Sequence, residues 1–453
     1  MLGRRAREIA SIVVLASFSA GPALAGPGEH IHAGDATITP SISTGLEYHT
    51  NAYLADGGQG QPEIPAMAWT LKPRVAMNYK GRQILWDLGV GYQLKKFIDL
   101  DPNDVAQTDN LDQFNAVDAN TSLTLFPTGI AGFKLEDNFL VVPTATELEP
   151  IGGNGTANIT HTSNDLRGGL QVRPGTAIDI NLFGNLGVDT YDVPLILQVD
   201  SATSTSYNDR LAYGPQVAAA WRFLPKTSLN GMFSYNWVNW RLPIINAIGA
   251  EIEGSNVGNF LGKPDSTVWR TQWGLRGQFT EKLAAEVLLG YGQMNYDETS
   301  VPANADPQGE EGYDQDLTDF SQGFLVNAQV GYSPIKGQSL TAGYRKDFQD
   351  AVFTNYVLYN YLYLRYEGLY FSRLGLGAEA GYRIDAYHGE IVRDDQNLIL
   401  KGNAAYRITD FFSTNLSVTW NRRACLEADC HNNEYYSTQF DDVVLYGGAT
   451  FTY

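Results

Sequence analysis

Few residues of this chain could carry nucleophilic or metal chemistry, and their spacing supports neither. The chain holds six histidines, which are His30, His32, His49, His161, His388 and His431. None is combined with a serine or an aspartate in a pattern typical of a nucleophile and its base, and no HExxH, Walker or dinucleotide motif occurs. His30 and His32 have a spacing that could grip a metal, but an exposed N-terminal tail explains them more simply. The sequence therefore predicts neither an enzyme nor a cofactor site.

Acidic residues dominate the charge of the chain. The formal net charge is −19, which makes nucleic acid an improbable partner. Between Asp297 and Asp319 the acidic residues occur without any Lys or Arg; they are Asp297, Glu298, Asp306, Glu310, Glu311, Asp314, Asp316 and Asp319. This segment could bind divalent cations beside lipopolysaccharide. A solvated acidic loop is the simpler interpretation, because the spacing matches no EF-hand.

The N-terminus has the features of an export signal. Three arginines, Arg4, Arg5 and Arg7, precede a short apolar run, and the cleavage-site pattern Ala23-Leu24-Ala25 follows. We predict a signal peptide at residues 1–25 and a short periplasmic segment at 26–36. No later stretch offers about 18 consecutive apolar residues, so a helical membrane anchor is not expected.

The only two cysteines lie close together near the C-terminus. Cys425 and Cys430 are separated by four residues of a polar stretch. Export to an oxidising compartment favours a local disulfide between them. Two free thiols are the alternative, and two sulfurs alone are a weak metal site.

The last strand of the chain carries the most specific signal of the sequence. Val443, Leu445, Gly447, Ala449, Phe451 and Tyr453 fall on one face of a period-two strand that runs to the final residue. Gly448, Phe451 and Tyr453 form a pattern that resembles the closing-strand signal of Gram-negative outer-membrane β-barrels, which the barrel assembly machinery reads. A soluble β-sandwich or β-helix would explain neither this signal nor the loop pattern described next.

Alternating segments of about ten residues recur along the whole mature chain, joined in turn by tight turns and long polar loops. Eight tight turns and nine long loops separate eighteen predicted strands, as in outer-membrane barrels with short periplasmic turns and long external loops. We predict one all-β, transmembrane, antiparallel up-and-down β-barrel at residues 37–453. Its strands are predicted near 37–52, 68–78, 83–97, 112–125, 130–142, 162–173, 176–190, 207–223, 228–239, 268–279, 283–295, 318–331, 339–347, 356–370, 374–387, 397–408, 412–422 and 440–453.

Along these strands, charged and polar residues on one face alternate with apolar residues on the other face. With eighteen strands, packed side chains cannot fill the interior, so an aqueous lumen is expected. The mixed charges predict either a hydrated conduit or wall residues that pair across strands. The predicted pore-lining residues are Lys72, Arg74, Asp87, Glu136, Arg167, Asp179, Arg270, Arg276, Glu286, Arg345, Tyr361, Tyr363, Arg365, Glu367, Glu379, Arg383, Lys401 and Arg407.

The first predicted strand contains a distinctive run of residues. The stretch from Pro40 to Tyr53 has a glycine at Gly45, the pair Glu47-Tyr48, and Asn51 followed closely by Tyr53. This stretch resembles the opening of a family of outer-membrane β-barrel porins. Similar barrels occur in exopolysaccharide gene clusters and resemble the barrel part of polysaccharide-secretion porins. This resemblance implies a barrel without catalytic residues and polysaccharide as its cargo.

These observations favour an outer-membrane porin that exports a secreted polysaccharide. A general or nutrient-diffusion porin is the second interpretation, and a structural or adhesive surface barrel is the third. The expected partners are outer-membrane lipid and lipopolysaccharide, the barrel assembly machinery, a periplasmic polysaccharide export protein, and the polysaccharide or another hydrophilic solute.

Overall fold

The computed structural model describes ten segments of the chain: residues 30–51, 65–99, 113–143, 160–192, 209–240, 265–296, 323–350, 356–388, 393–426 and 439–453. The predicted signal peptide, the acidic segment Asp297–Asp319 and Cys430 lie outside these residues. Cys425 is not a free thiol, and its pairing with Cys430 stays a prediction.

The described residues form one antiparallel sheet that closes on itself. Its strands are β1 Ile31–Ala33, β2 Ala36–His49, β3 Ala66–Lys80, β4 Ile84–Asp99, β5 Gln113–Leu125, β6 Ala131–Pro143, β7 Thr160–Val172, β8 Ile178–Asp192, β9 Arg210–Leu224, β10 Thr227–Trp240, β11 Ser266–Gln278, β12 Leu283–Tyr296, β13 Phe324–Tyr332, β14 Gln338–Asp350, β15 Tyr356–Tyr370, β16 Leu374–His388, β17 Arg393–Arg407, β18 Phe412–Cys425 and β19 Phe440–Thr452. Each of β2 to β18 pairs with the next strand, and β19 pairs with β2. The predicted eighteen-stranded up-and-down barrel is therefore confirmed.

Most strand ends agree with the prediction to within three residues. The largest differences are the starts of β13 and of β17, which begins at Arg393 rather than near 397, and β14 is also longer than predicted. β13 begins at Phe324 rather than near residue 318, and β14 runs on to Asp350 instead of ending near 347. The last residues of β14 stay in register with β15, up to Asp350 opposite Tyr356. This unequal pair of strands shapes the lumen.

The outer face of the barrel is apolar. Large hydrophobic side chains such as Leu182, Trp273, Leu364 and Leu416 project outward and are exposed on this face. A closed barrel satisfies every backbone hydrogen bond inside lipid, and an apolar outer band with short turns at one end is the outer-membrane arrangement. The chain is thus an outer-membrane barrel. No helix in the described segments is long and apolar enough to span a membrane.

The N-terminal residues of the described chain lie against the C-terminal one. β1 forms a hairpin with the start of β2 through Gly34, whose φ of 62° suits glycine. His30 Nδ1 lies 3.2 Å from the backbone oxygen of Tyr453. Part of the predicted 26–36 segment is therefore a short strand at the barrel rim.

A buried polar cluster joins the first and last strands of the barrel near the long-loop end. Asp442 is 2% exposed and accepts hydrogen bonds from the backbone N–H of Asn51 at 3.0 Å and the hydroxyl of Thr50 at 3.4 Å. His49 lies between two carboxylates, with Nδ1 3.2 Å from Asp442 Oδ2 and Nε2 2.6 Å from Glu47 Oε1. These contacts add side-chain bonds to the backbone ladder that closes the barrel.

Candidate functional site: the lumen

The inner face of the wall is identified by contacts between strands that are not neighbours. Arg270 on β11 reaches Asp347 on β14, and Arg210 on β9 reaches Asp350 on β14. Only side chains inside the barrel can meet in this way. By alternation from Arg270 and Asp347, the residues predicted to line the lumen fall on this same face of their strands, as in the facing pairs Glu136–Arg167, Arg276–Glu286 and Glu379–Lys401.

The end of β14 bends into the barrel because its neighbour β13 is short. The pairing between these two strands stops at Val326 opposite Lys346, so the residues after Lys346 pair only with β15. Phe348 would face lipid by simple alternation, yet it is 1% exposed. Its ring occupies the space left by Gly292 on β12, where an added Cβ would lie 2.6 Å from the ring.

A hydrophobic cluster surrounds Phe348 at the long-loop end of the lumen. It draws buried side chains from six consecutive strands, β10 to β15; they are Val238, Trp240, Val268, Met294, Tyr296, Leu325, Phe348 and Tyr356. A barrel wall alone provides no such cluster, because inner side chains of a wide barrel face water. The cluster therefore holds the end of β14 inside the mouth.

An ion pair ties this inward end of β14 to β9. Asp350 Oδ2 lies 2.9 Å from Arg210 Nη1, and Arg210 Nε lies 2.6 Å from Asp189 Oδ2 on β8. β14 and β9 are five strands apart, or roughly 24 Å of wall at about 4.8 Å per strand. Two side chains cannot bridge that distance, so the backbone of β14 must enter the mouth.

Arginines, an aspartate and an aromatic ring contact one another on the inner wall beside the inward end of β14, which narrows the mouth and is called the constriction below. Asp347 accepts from Arg270 Nε at 3.3 Å and from Arg345 Nη2 at 3.0 Å. The Arg345 and Arg383 guanidinium groups lie 5.7 and 4.4 Å from the centre of the Tyr359 ring. Cation–π contacts and charge-assisted hydrogen bonds of this kind fix long side chains in place. The predicted pore-lining Arg270, Arg345 and Arg383 are thus brought together.

A second group of predicted residues lies closer to the short-turn end. Glu379 accepts from Arg365 Nε at 2.9 Å and from the Tyr361 hydroxyl at 3.1 Å. Tyr361 and Tyr363 lie 5.4 Å apart with an angle of 24° between the rings. Each ring covers a glycine of the neighbouring strand, Gly381 for Tyr361 and Gly343 for Tyr363. The rings therefore lie along the wall rather than projecting into the lumen.

The remaining predicted residues spread around the wall without forming one site. Arg74 pairs with Asp118, and Arg167 lies over the Phe183 ring at 4.2 Å. Asp179 lies 3.6 Å from Arg173, and Lys72 lies 5.6 Å from the centre of the Tyr446 ring. Most of these charges are paired with a neighbour on the same wall.

The residues of the predicted assembly signal lie on both faces of β19 and just beyond its end. Phe451 is outward and packs on Phe412 of β18, with ring centres 4.7 Å apart. Gly448 faces inward, where an added Cβ would lie 2.8 Å from the backbone oxygen of Thr44. Tyr453 follows β19 and donates its backbone N–H to Pro40.

Sequence reasoning did not single out the residues of the constriction. Arg210, Asp347, Phe348 and Asp350 lay within or beside predicted strands without a distinguishing pattern. Nor did it predict the pairing of His161 Nε2 with Asp189 Oδ1 at 2.9 Å. Among the described residues, no group of three or more His, Cys, Asp or Glu side chains could hold a metal ion.

No protein-family model and no curated protein matches the chain. Solved structures to which it is similar include OpdK of Pseudomonas aeruginosa with vanillate, at 11% identity, covering 92% of this chain and 99% of that chain with a TM-score of 0.43. OccK2 (OpdF) of Pseudomonas aeruginosa in complex with glucuronate matches at 11% identity over 92% of this chain and 98% of that one, with a TM-score of 0.44. OccAB3 of Acinetobacter baumannii matches at 9% identity over 93% of this chain and 100% of that one, with a TM-score of 0.45.

Proposed function

We propose that the barrel is a diffusion porin that admits small hydrophilic solutes and holds back larger ones. The observation that carries this proposal is the inward end of β14, tied to β9 by the Arg210–Asp350 ion pair. A wide barrel with a buried cluster at one mouth is suited to selection by size. A conduit for a continuous polymer needs a passage that stays open.

The charged wall supports the same proposal. Ion pairs such as Arg365–Glu379 at 2.8 Å set positive and negative groups side by side along the hydrated inner face. Conduction requires contacts that are favourable enough for entry and weak enough for release. Paired charges meet this requirement, because each retains some attraction for a polar solute but is partly satisfied by its neighbour.

Export of a secreted polysaccharide, the first interpretation of the sequence, is the second candidate. The feature that favours it is the Tyr361–Tyr363 pair, whose rings lie along the inner wall. Sugars stack on such aromatic faces, and the hydroxyl groups of both tyrosines add hydrogen-bonding capacity. This function would require a periplasmic export protein at the short-turn end. For either function, we expect lipid and lipopolysaccharide around the barrel and insertion by the barrel assembly machinery.

A deletion strain distinguishes the two candidates. If the barrel is a diffusion porin, the strain keeps its surface polysaccharide and takes up small hydrophilic solutes more slowly, and plasmid-borne wild-type protein restores uptake. Loss of surface polysaccharide with unchanged uptake would replace this proposal with polymer export. If both are unchanged, and if the purified barrel also gives no conductance in a planar bilayer, the barrel has a structural or adhesive role.

A further inference from the structure

A recess lies in the inner wall at the short-turn end of β9 to β14. Its volume is about 530 Å³, which is within the range of small-molecule sites. The recess is separate from the constriction, which lies at the opposite end of the same strands. It therefore lies where a solute would leave the lumen for the periplasm.

Small side chains form the floor of the recess. Ala284 on β12 faces Gly331 on β13, which in turn faces Thr341 on β14. A Cβ added to Gly331 would meet nothing closer than the Thr341 hydroxyl at 3.9 Å. The concavity thus arises because three neighbouring strands place small residues at one level of the inner face.

Positive charge dominates the rim. Arg222, Lys226 and Arg276 line the recess, together with a single carboxylate, Glu286. Arg276 and Glu286 are only loosely paired, because their closest atoms are 3.9 Å apart and the Arg276 side chain is 71% exposed. Glu286 also accepts a hydrogen bond from Gln329 at 3.1 Å. The recess therefore carries an excess of two positive charges.

Both arginines line the same recess, from strands on either side of β10. Ser228 of β10 lies directly opposite Arg276 of β11, and Arg222 occupies the inner face of β9 at the same end. Arg222 Nη1 donates to the Thr176 backbone oxygen at 3.1 Å, which anchors the side chain. A guanidinium has five N–H donors, so donors remain for a ligand.

We propose that this recess binds a small anion, a carboxylate or a phosphate, on its way out of the lumen. Guanidinium groups match the oxygen geometry of both ions. Ser228, Gln278 and Thr341 supply further hydrogen bonds along the lining. The site refines the proposed diffusion function by naming the charge of the preferred solute, and in that respect it rests on that function.

Direct binding to the folded barrel in detergent tests the site. Inorganic phosphate and succinate are titrated separately by calorimetry, so that the two arms show which ion is preferred. Replacing both arginines, Arg222→Gln with Arg276→Gln, should weaken binding by roughly tenfold or more, because a hydrogen bond to a charged group is lost at each position. Ala284→Leu should weaken it without any change of charge, because the added side chain fills the floor. Arg373→Gln, in the β15–β16 turn at the same end, removes the same charge elsewhere and should leave binding unchanged.

Absence of saturable binding to the wild-type barrel would overturn the site, as would equal weakening by Arg373→Gln. Planar-bilayer conductance separates this failure from failure of the proposed function. A conducting barrel that binds neither ion retains the porin function and loses the site. A barrel that binds an ion but never conducts retains the site and loses the porin function.

Discussion

Replacing Phe348 with alanine should open the external mouth of the barrel without weakening its wall. The Phe348 ring is buried against Gly292, and the Arg270 guanidinium lies 4.1 Å from the ring centre. Truncating a buried phenylalanine costs about 3–5 kcal/mol. The truncation should destabilise the inward conformation of the β14 end rather than the barrel wall, because the wall is held by backbone hydrogen bonds that do not involve this ring.

The size of the expected effect follows from this cost. A loss of about 3 kcal/mol lowers the ratio of inward to displaced conformations by roughly a hundredfold, at about 1.4 kcal/mol per factor of ten. The Arg210–Asp350 and Arg270–Asp347 ion pairs remain as ties between this end of β14 and the wall. Single-channel conductance of the Phe348→Ala variant in planar bilayers should therefore rise above that of the wild type. The heat-modifiable folded form seen on electrophoresis should be as stable as before.

Phe324→Ala is the matched control, because Phe324 lies on the outer face of β13 and is 51% exposed. It removes the same ring from the lipid side and should not change conductance. Gly292→Val tests the same contact from β12, because the added side chain would displace the Phe348 ring. Its conductance should also rise. Wild-type conductance in both Phe348→Ala and Gly292→Val would refute the idea that this cluster narrows the mouth.

Three further outcomes are expected. Asp442→Ala should lower the temperature at which the folded band is lost on electrophoresis, because unpaired buried groups at the β19–β2 junction cost about 1–3 kcal/mol. Asp410→Ala, in an exposed turn, should leave that temperature unchanged. Equal lowering in both variants would contradict the role of Asp442 in closing the barrel. Replacing Phe451 and Tyr453 with serine should reduce membrane insertion, because both residues belong to the predicted assembly signal at the end of β19. Wild-type levels of folded barrel in the double variant would contradict that role. Mass spectrometry of non-reduced protein should find Cys425 and Cys430 joined in a disulfide. The double serine variant should still insert, because a disulfide that closes so short a loop contributes only roughly 2 kcal/mol to stability. Free thiols would contradict this prediction.

The wall of the barrel could be predicted because its rules are local. A strand exposed to lipid on one face and water on the other must alternate, and turns need residues such as Pro127, Gly175 and Gly337. Both signals are contained within about ten residues. The eighteen strands therefore followed from the sequence.

The constriction could not be predicted because it depends on distant partners. Phe348 occupies a position that alternation assigns to lipid, and only the shortness of β13 turns it inward. Arg210 and Asp350 are 140 residues apart in the chain, and His49 and Asp442 are 393 apart. Such pairs are set by strand number and register around the closed barrel. A single sequence does not reveal which inner residues will meet across it.

Permeation of uncharged saccharides of increasing length into proteoliposomes tests the central claim most directly. For a diffusion porin narrowed at its mouth, monosaccharides should enter rapidly and the rate should fall steeply as the chain lengthens. In the Phe348→Ala variant, the entry rate should begin to fall only at longer saccharides. Equal rates for short and long saccharides through the wild-type barrel, or no entry of any of them, would contradict the account.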